Sequence, residues 1–236
     1  MHDVYQDRLE VLARLLAALC HENADTIGRA TAAVLDADLA RADQVIADRG
    51  RLARNRAESD RHARDLLARE LHGENDLRGA VASIYIGESL AQMTELAAQI
   101  AEAARRRYPR AVVPPVLRPR FEEMGRIAGG IAGLAGQALI SRDPAMRAAA
   151  EDAEDEMTNL HRTLLTIIDY GDWGYGVATA VDVSLLSRCY ERFAGHAGAI
   201  ARRSVLQESS SPSPASSKSS MRWIRRRVAS LTAPDS

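Results

Sequence analysis

Apolar positions in this chain recur at helical spacing, and one such run returns a hundred residues later. Leu90, Met93, Ala97 and Ile100 step by three, four and three residues, and Tyr190, Phe193, Ala197 and Ile200 repeat those steps. Each run starts four residues after another apolar position, Ile86 or Leu186. Residues at this spacing share one face of an α-helix. Two like helices therefore occupy equivalent places in two halves, and the chain reads as a duplicated helical unit.

The remaining segments fit the same plan. A first helix is expected over 4–34, with Leu9, Leu12, Leu16 and Leu19 on one stripe. A second, highly charged helix runs from about Leu39 to Leu71 and turns Ile46, Leu52, Ala63 and Leu67 inward. The loop 72–76 leads into a third helix that ends before Tyr108-Pro109, and the proline-rich stretch 112–119 joins the halves, since proline cannot continue a helix. Beyond it, Leu117, Phe121, Met124, Ala128, Ile131, Ala135 and Ala138 form an unbroken bundle-type seam. The glycines at 129, 130, 133 and 136 on this helix cost helix propensity, which close packing against a neighbour would justify. Asp143-Pro144 opens a fifth helix to about Ile168, and the turn 170–176 precedes a sixth from about Val177 to Leu206.

The expected fold is all-α: two tandem antiparallel three-helix bundles, spanning 1–110 and 111–206, joined end to end. Residues 207–236 form a separate Ser/Pro-rich linker and basic tail with the composition of a disordered segment. Hydrophobic residues make up 46% of the chain but aromatics only 4%, so the core must be built from Ala and Leu. No alternating run is long enough to support a sheet.

Charge narrows the function classes. The net charge is −1, but residues 207–236 carry a local +3, which leaves about −4 for the body. A mildly acidic body argues against nucleic acid as partner. The run 221–231 mixes Trp, Ile, Val and Leu with four arginines; a solvated tail and a peripheral contact with anionic lipid are both readings of it. The longest weakly polar run, 127–140, is shorter than a membrane span. The start, MHDVYQDRLE, is polar and acidic and lacks the apolar stretch of a secretory signal. Cys20 and Cys189, the two cysteines of the chain, suit a reducing cytoplasm and cannot build a zinc site alone. They read as core thiols.

No catalytic constellation stands out. The six histidines show no H-E-x-x-H spacing, the serines no strand–turn–helix elbow, and the glycines at 129–136 no phosphate-loop order. His161 and His196 also lack a Glu three residues earlier, since 158 is Thr and 193 is Phe. That removes the Glu-x-x-His pairs a ferritin-like di-metal enzyme requires.

Several blocks taken in order point to a family. Asp76-Leu-Arg78 stands before the third helix, and Leu90-Ala-Gln-Met-Thr-Glu-Leu-Ala97 follows within it. Tyr190-Glu-Arg-Phe-Ala-Gly-His-Ala197 is a second copy of that segment, and Val45-Ile-Ala-Asp48, Arg107-Tyr-Pro109, Leu160-His-Arg162 and Trp173-Gly-Tyr-Gly176 complete the set. Over roughly residues 1–206 the chain resembles the PhoU family, and actinobacterial members in particular. The resemblance implies a cytoplasmic, non-enzymatic, homodimeric negative regulator of phosphate uptake. It would link the phosphate ABC transporter ATPase to the phosphate-sensing histidine kinase. It also implies docking residues at Asp76, Arg78, Glu191, Arg192 and His196.

The family's signature is an acidic pair, E/D-x-x-x-D, on two helices of each bundle. Residues i and i+4 share a helical face, so two such helices converge four carboxylates suited to hard cations or to an iron or zinc cluster. Here those positions hold Arg49 and Ala53, Ala91 and Glu95, Glu154 and Thr158, Glu191 and Gly195. Three of eight keep an acid. Residual metal candidates are Glu95, Glu154, Asp155 and Glu191; Asp152, Asp155 and Glu156 also read as a solvated acidic face. No cofactor is expected, and weak divalent, iron or zinc binding is the residual alternative. A diverged paralogue, keeping the bundle as a scaffold for another partner, is the competing functional reading.

Overall fold

The computed structural model describes residues 2–68, 74–170 and 173–204, with side chains at all of these except 2–6, 67, 74–77 and 170. The tail expected over 207–236 lies outside the described residues, as does the side chain of Leu67. Six α-helices follow in order: α1 (His2–Asp36), α2 (Leu39–Leu67), α3 (Glu74–Arg107), α4 (Arg118–Ser141), α5 (Pro144–Tyr170) and α6 (Val177–Ser204). The described residues contain no strand. A short 3-10 turn, Pro115–Leu117, leads into α4.

Local chemistry sets the helix ends. The Asp38 side chain accepts a hydrogen bond from the Arg41 amide at 2.9 Å and caps α2, and Asp143 does the same for the Ala145 amide at the start of α5. Arg142 takes the left-handed conformation after α4, with φ 56°. Arg118 donates to the Leu35 carbonyl at 2.8 Å and to Asp36 at 2.7 Å. A cation thus sits at the carbonyl end of α1 and ties α4 to it.

The stripes read from the sequence are the core. Leu12, Leu16 and Leu19 of α1, Leu90, Met93, Ala97 and Ile100 of α3, and Tyr190, Phe193, Ala197 and Ile200 of α6 are all buried. So is the whole α4 seam from Leu117 to Ala138. Buried side chains from all six helices form one continuous apolar core.

In one respect the arrangement differs from expectation. The halves lie side by side, not end to end: α1 packs along α4 and α3 along α6, while α2 covers α1 and α3 and α5 covers α4 and α6. Equivalent helices therefore face each other, and α1, α3, α4 and α6 form a central four-helix bundle. The reason is the small-residue face of α4. A Cβ at Gly125 would lie 2.6 Å from Thr31 Oγ1, one at Gly136 would lie 3.2 Å from the Ala17 carbonyl, and one at Gly129 3.6 Å from the Ala24 carbonyl. Gly130 and Gly133, by contrast, face open space. The aromatic residues finish the junction: Tyr190 meets Phe121 edge-on at 5.9 Å, and its hydroxyl donates to Thr31 Oγ1 at 2.9 Å across the halves.

Candidate functional site

The four first-half positions matched to the acidic motif come together. Arg49, Ala53, Ala91 and Glu95 all line one cleft of about 190 Å³ between α2 and α3, floored by Leu19 and Leu90. A carboxylate at each would make a four-acid cluster there. Instead Arg49 fills the position of a cation: its guanidinium bonds both Glu95 carboxylate oxygens at 3.2 Å and reaches Glu102 at 3.2 Å. The two alanines offer no ligand, and the one acid is already engaged.

The second-half positions share the seam between α5 and α6, and arginine closes this one too. Arg202 donates to Glu154 at 2.7 Å. The Glu154 carboxylate lies over the glycines of α6, so that a Cβ at Gly198 would clash with it and one at Gly195 would sit 3.7 Å away. Glu191, one turn before Gly195, takes a hydrogen bond from Arg188 at 2.7 Å. His161 approaches Glu191 with Nε2 at 3.8 Å while its Nδ1 pairs with Ser187 Oγ at 2.9 Å. Burial holds the His161 pKa below its ordinary value; Glu191 opposes the shift and Arg188 reinforces it. Thr158 turns its hydroxyl to the Glu154 carbonyl within its own helix, and Asp155 is exposed on α5.

Each of the three retained acids is thus neutralised by an arginine. No group of three or more His, Cys, Asp or Glu side chains among the described residues is placed to hold a metal. A multinuclear cluster needs several free carboxylates converging on one point, and the residues present do not fit one.

The residues expected to dock a partner fall in three separate places. Arg78 is exposed at the beginning of α3, where Gly79 packs near Leu9 of α1. Asp76 lies in the same first turn, and its side chain is outside the described set. Arg192 and His196 lie on the face where α6 meets α3; burial lowers the His196 pKa, Arg192 adds to the shift, and Glu88 of α3 opposes it. Glu191 belongs to the α5/α6 seam instead. Sequence reasoning missed Arg106, which joins Arg188, Arg192 and Cys189 around one groove. The signals were present as the run Arg105–Arg107 and the i, i+4 pair Arg188/Arg192. Cys20 and Cys189 are both free thiols; burial pushes the Cys20 pKa up to about 12. No helix among the described residues is long and apolar enough to cross a membrane.

Comparison with known proteins agrees with this architecture. Residues 121–204 match the family model of the PhoU domain. The chain is 39% identical over 207 residues to phosphate-specific transport system accessory protein PhoU homolog 2 of Mycobacterium tuberculosis, covering 88% of this chain and 97% of that one. It is 38% identical over 211 residues to homolog 1 of Mycobacterium leprae, covering 89% and 95%. Among solved structures, PhoU from Streptococcus pneumoniae superposes with a TM-score of 0.77 at 17% identity, over 88% of this chain and 98% of that chain. The duplicated helical unit, the closing of its halves side by side and a match running nearly the full length of the mycobacterial relatives lead to one conclusion: the chain belongs to the PhoU family.

Proposed function

We propose that this protein is a cytoplasmic, non-catalytic negative regulator of phosphate uptake and phosphate-responsive signalling. It acts by docking, as a homodimer, between a phosphate ABC transporter ATPase and a phosphate-sensing histidine kinase. The observation that carries this reading is the 39% identity spanning 97% of a mycobacterial protein named as an accessory of the phosphate-specific transport system. The helical scaffold supports it. A rigid surface that binds one kinase conformation more tightly shifts the kinase equilibrium by that differential affinity alone, and a tenfold shift needs only about 1.4 kcal/mol of preference.

Deletion of the gene, in a strain without a paralogue, should release phosphate-responsive transcription and uptake from repression at high phosphate. Unchanged transcription and uptake would refute the reading. A second reading, a scaffold diverged toward another partner, draws support from Arg49 and the alanines at motif positions. Pull-down of the sensor kinase and the transporter ATPase by the full chain, with and without residues 207–236, separates the two.

A further inference from the structure

Arginines gather at the seam between α3 and α6, and the fold does not use all of them. The helices run antiparallel: Arg107 near the end of α3 donates to Asp182 near the start of α6 at 2.6 Å. At the other end Arg203 lies over the Tyr85 ring, 5.5 Å from its centroid. Between these ties lies a groove of about 350 Å³, with Leu186 and Cys189 among its lining and Arg106, Arg188 and Arg192 around it.

Two of these cations lack a counter-charge. Arg188 is held by Glu191 at 2.7 Å, but Arg106 and Arg192 form no ion pair among the described residues, and both are exposed. Their proximity also registers at Cys189, where burial raises the thiol pKa and Arg192 and Arg106 oppose the rise. Beside them Val181 and Leu185, one turn apart on α6, are 50% and 61% exposed. An unpaired positive pair flanking an apolar step is complementary to an amphipathic segment of opposite charge. The chain's own segment 221–231 carries four arginines and has the wrong sign. A second copy meeting this face two-fold would oppose like charges.

We propose that the α3/α6 groove is the docking site for an acidic amphipathic segment of a partner protein, whose carboxylates meet Arg106 and Arg192 and whose apolar side chains cover Val181 and Leu185. This rests on the docking reading above and gives it a location.

The test is the affinity of the full chain for the cytoplasmic part of the sensor kinase and for the transporter ATPase, measured across a salt series. Three variants accompany the wild type: R106E/R192E, the charge-keeping R106K/R192K, and R61E/R64E, which reverses two exposed charges on α2. Charge reversal in the groove should weaken binding to at least one partner about tenfold or more and flatten its salt dependence. The lysine pair and the α2 reversal should leave binding within about twofold, since charge at the groove is kept in each. In the wild type, alkylation of Cys189 should slow when that partner binds, with Cys20 fully buried and silent; this readout holds even if the reversal variant folds poorly. Equal binding by wild type and R106E/R192E, with Cys189 unprotected, overturns the groove and leaves docking elsewhere standing. No binding of either partner by the wild type overturns both. Saturable binding of inorganic phosphate that the reversal abolishes, or a changed oligomeric state in the reversal variant, overturns the groove in favour of a small-anion site or a contact between copies.

Discussion

Replacing Arg49 with alanine removes a guanidinium that holds α2 to α3 through two carboxylates, Glu95 and Glu102, each at 3.2 Å. The three side chains are 37%, 47% and 23% exposed, so both pairs are of the solvent-screened kind, worth about 0.2–1 kcal/mol each. Together with the lost packing of the arginine stem, the expected cost is about 1 kcal/mol, or about 2–4 °C in Tm for a chain of this size. Arg49→Glu goes further. It gathers three carboxylates where a cation had been, and their mutual repulsion should bring the loss to about 2 kcal/mol. Three convergent carboxylates are also a donor set for a hard divalent cation. Excess Mn²⁺ should therefore restore most of the R49E loss, because a ligand that binds only the folded state stabilises it by mass action, and should leave the wild type where it was. Thermal melts by circular dichroism, in chelator and in Mn²⁺, read all of this, and metal analysis of the purified protein accompanies them. R49E as stable as wild type in chelator would refute the argument. So would a wild type that carries two or more tightly held ions per chain or melts several degrees higher with metal.

Three further outcomes follow from the core. Tyr190→Phe deletes the buried bond to Thr31 that links the halves and should cost about 1 kcal/mol in urea unfolding; no loss would mean the junction rests on packing alone. Two glycines of α4 should respond in opposite directions. Gly125→Ala drives a methyl to within 2.6 Å of Thr31 Oγ1 and should destabilise by about 1–3 kcal/mol. Gly130→Ala meets nothing within 4 Å and should stabilise by about 0.5–1 kcal/mol through helix propensity, so equal signs in the two melts would refute the packing assigned to this face. Cys20 should make the fold sensitive to alkali: its folded pKa is raised from 9.0 to about 12, so above pH 9 the unfolded chain loses a proton that the folded chain keeps. Its contribution is complete below about pH 9 and declines as pH rises toward 12, a slope that should be absent from Cys20→Ala in paired denaturation curves.

What the sequence revealed, and what it withheld, divides along a physical line. Periodicity reports the face a helix buries, so the α3, α4 and α6 stripes and the breaks at Pro109 and Asp143 could be read directly. It does not report which helix covers that face. Side-by-side closure depended on Gly125, Gly129 and Gly136 lying at i, i+4 and i+11 along α4, while Gly130 and Gly133, which lie between Gly129 and Gly136 in sequence, point to open space. The convergence of Arg49, Ala53, Ala91 and Glu95 on one cleft followed from i, i+4 spacing. The partners of the retained acids did not follow. Arg188 beside Glu191 is a local i, i+3 pair that could have been read, whereas Arg202 meets Glu154 from 48 positions away, through the antiparallel register of α5 and α6. Arg106 was invisible as a groove residue for the same reason, because it faces Arg192 only once α3 and α6 are packed across the halves.

The same side chain serves two ends in this fold, and the difference lies in what stands opposite. Along the outer seams, α2 with α3 and α5 with α6, every retained acid faces an arginine: Arg49 meets Glu95, and Arg202 meets Glu154. A guanidinium stays protonated across the physiological range and forms directional bonds, so each retained acid on these seams has a counter-charge within the chain. Along the central seam, Arg107 is committed to Asp182, and Arg188 to Glu191 of the neighbouring α5/α6 seam. Arg106 and Arg192 are left over. A charge left over at an exposed, partly apolar groove contributes little to folding, since exposed charges are hydrated and screened, but it is available to whatever brings the matching carboxylates. If a regulator of this kind is to recognise a partner by static complementarity, the unbalanced seam is where the free energy of recognition can be found, and the balanced seams hold it rigid.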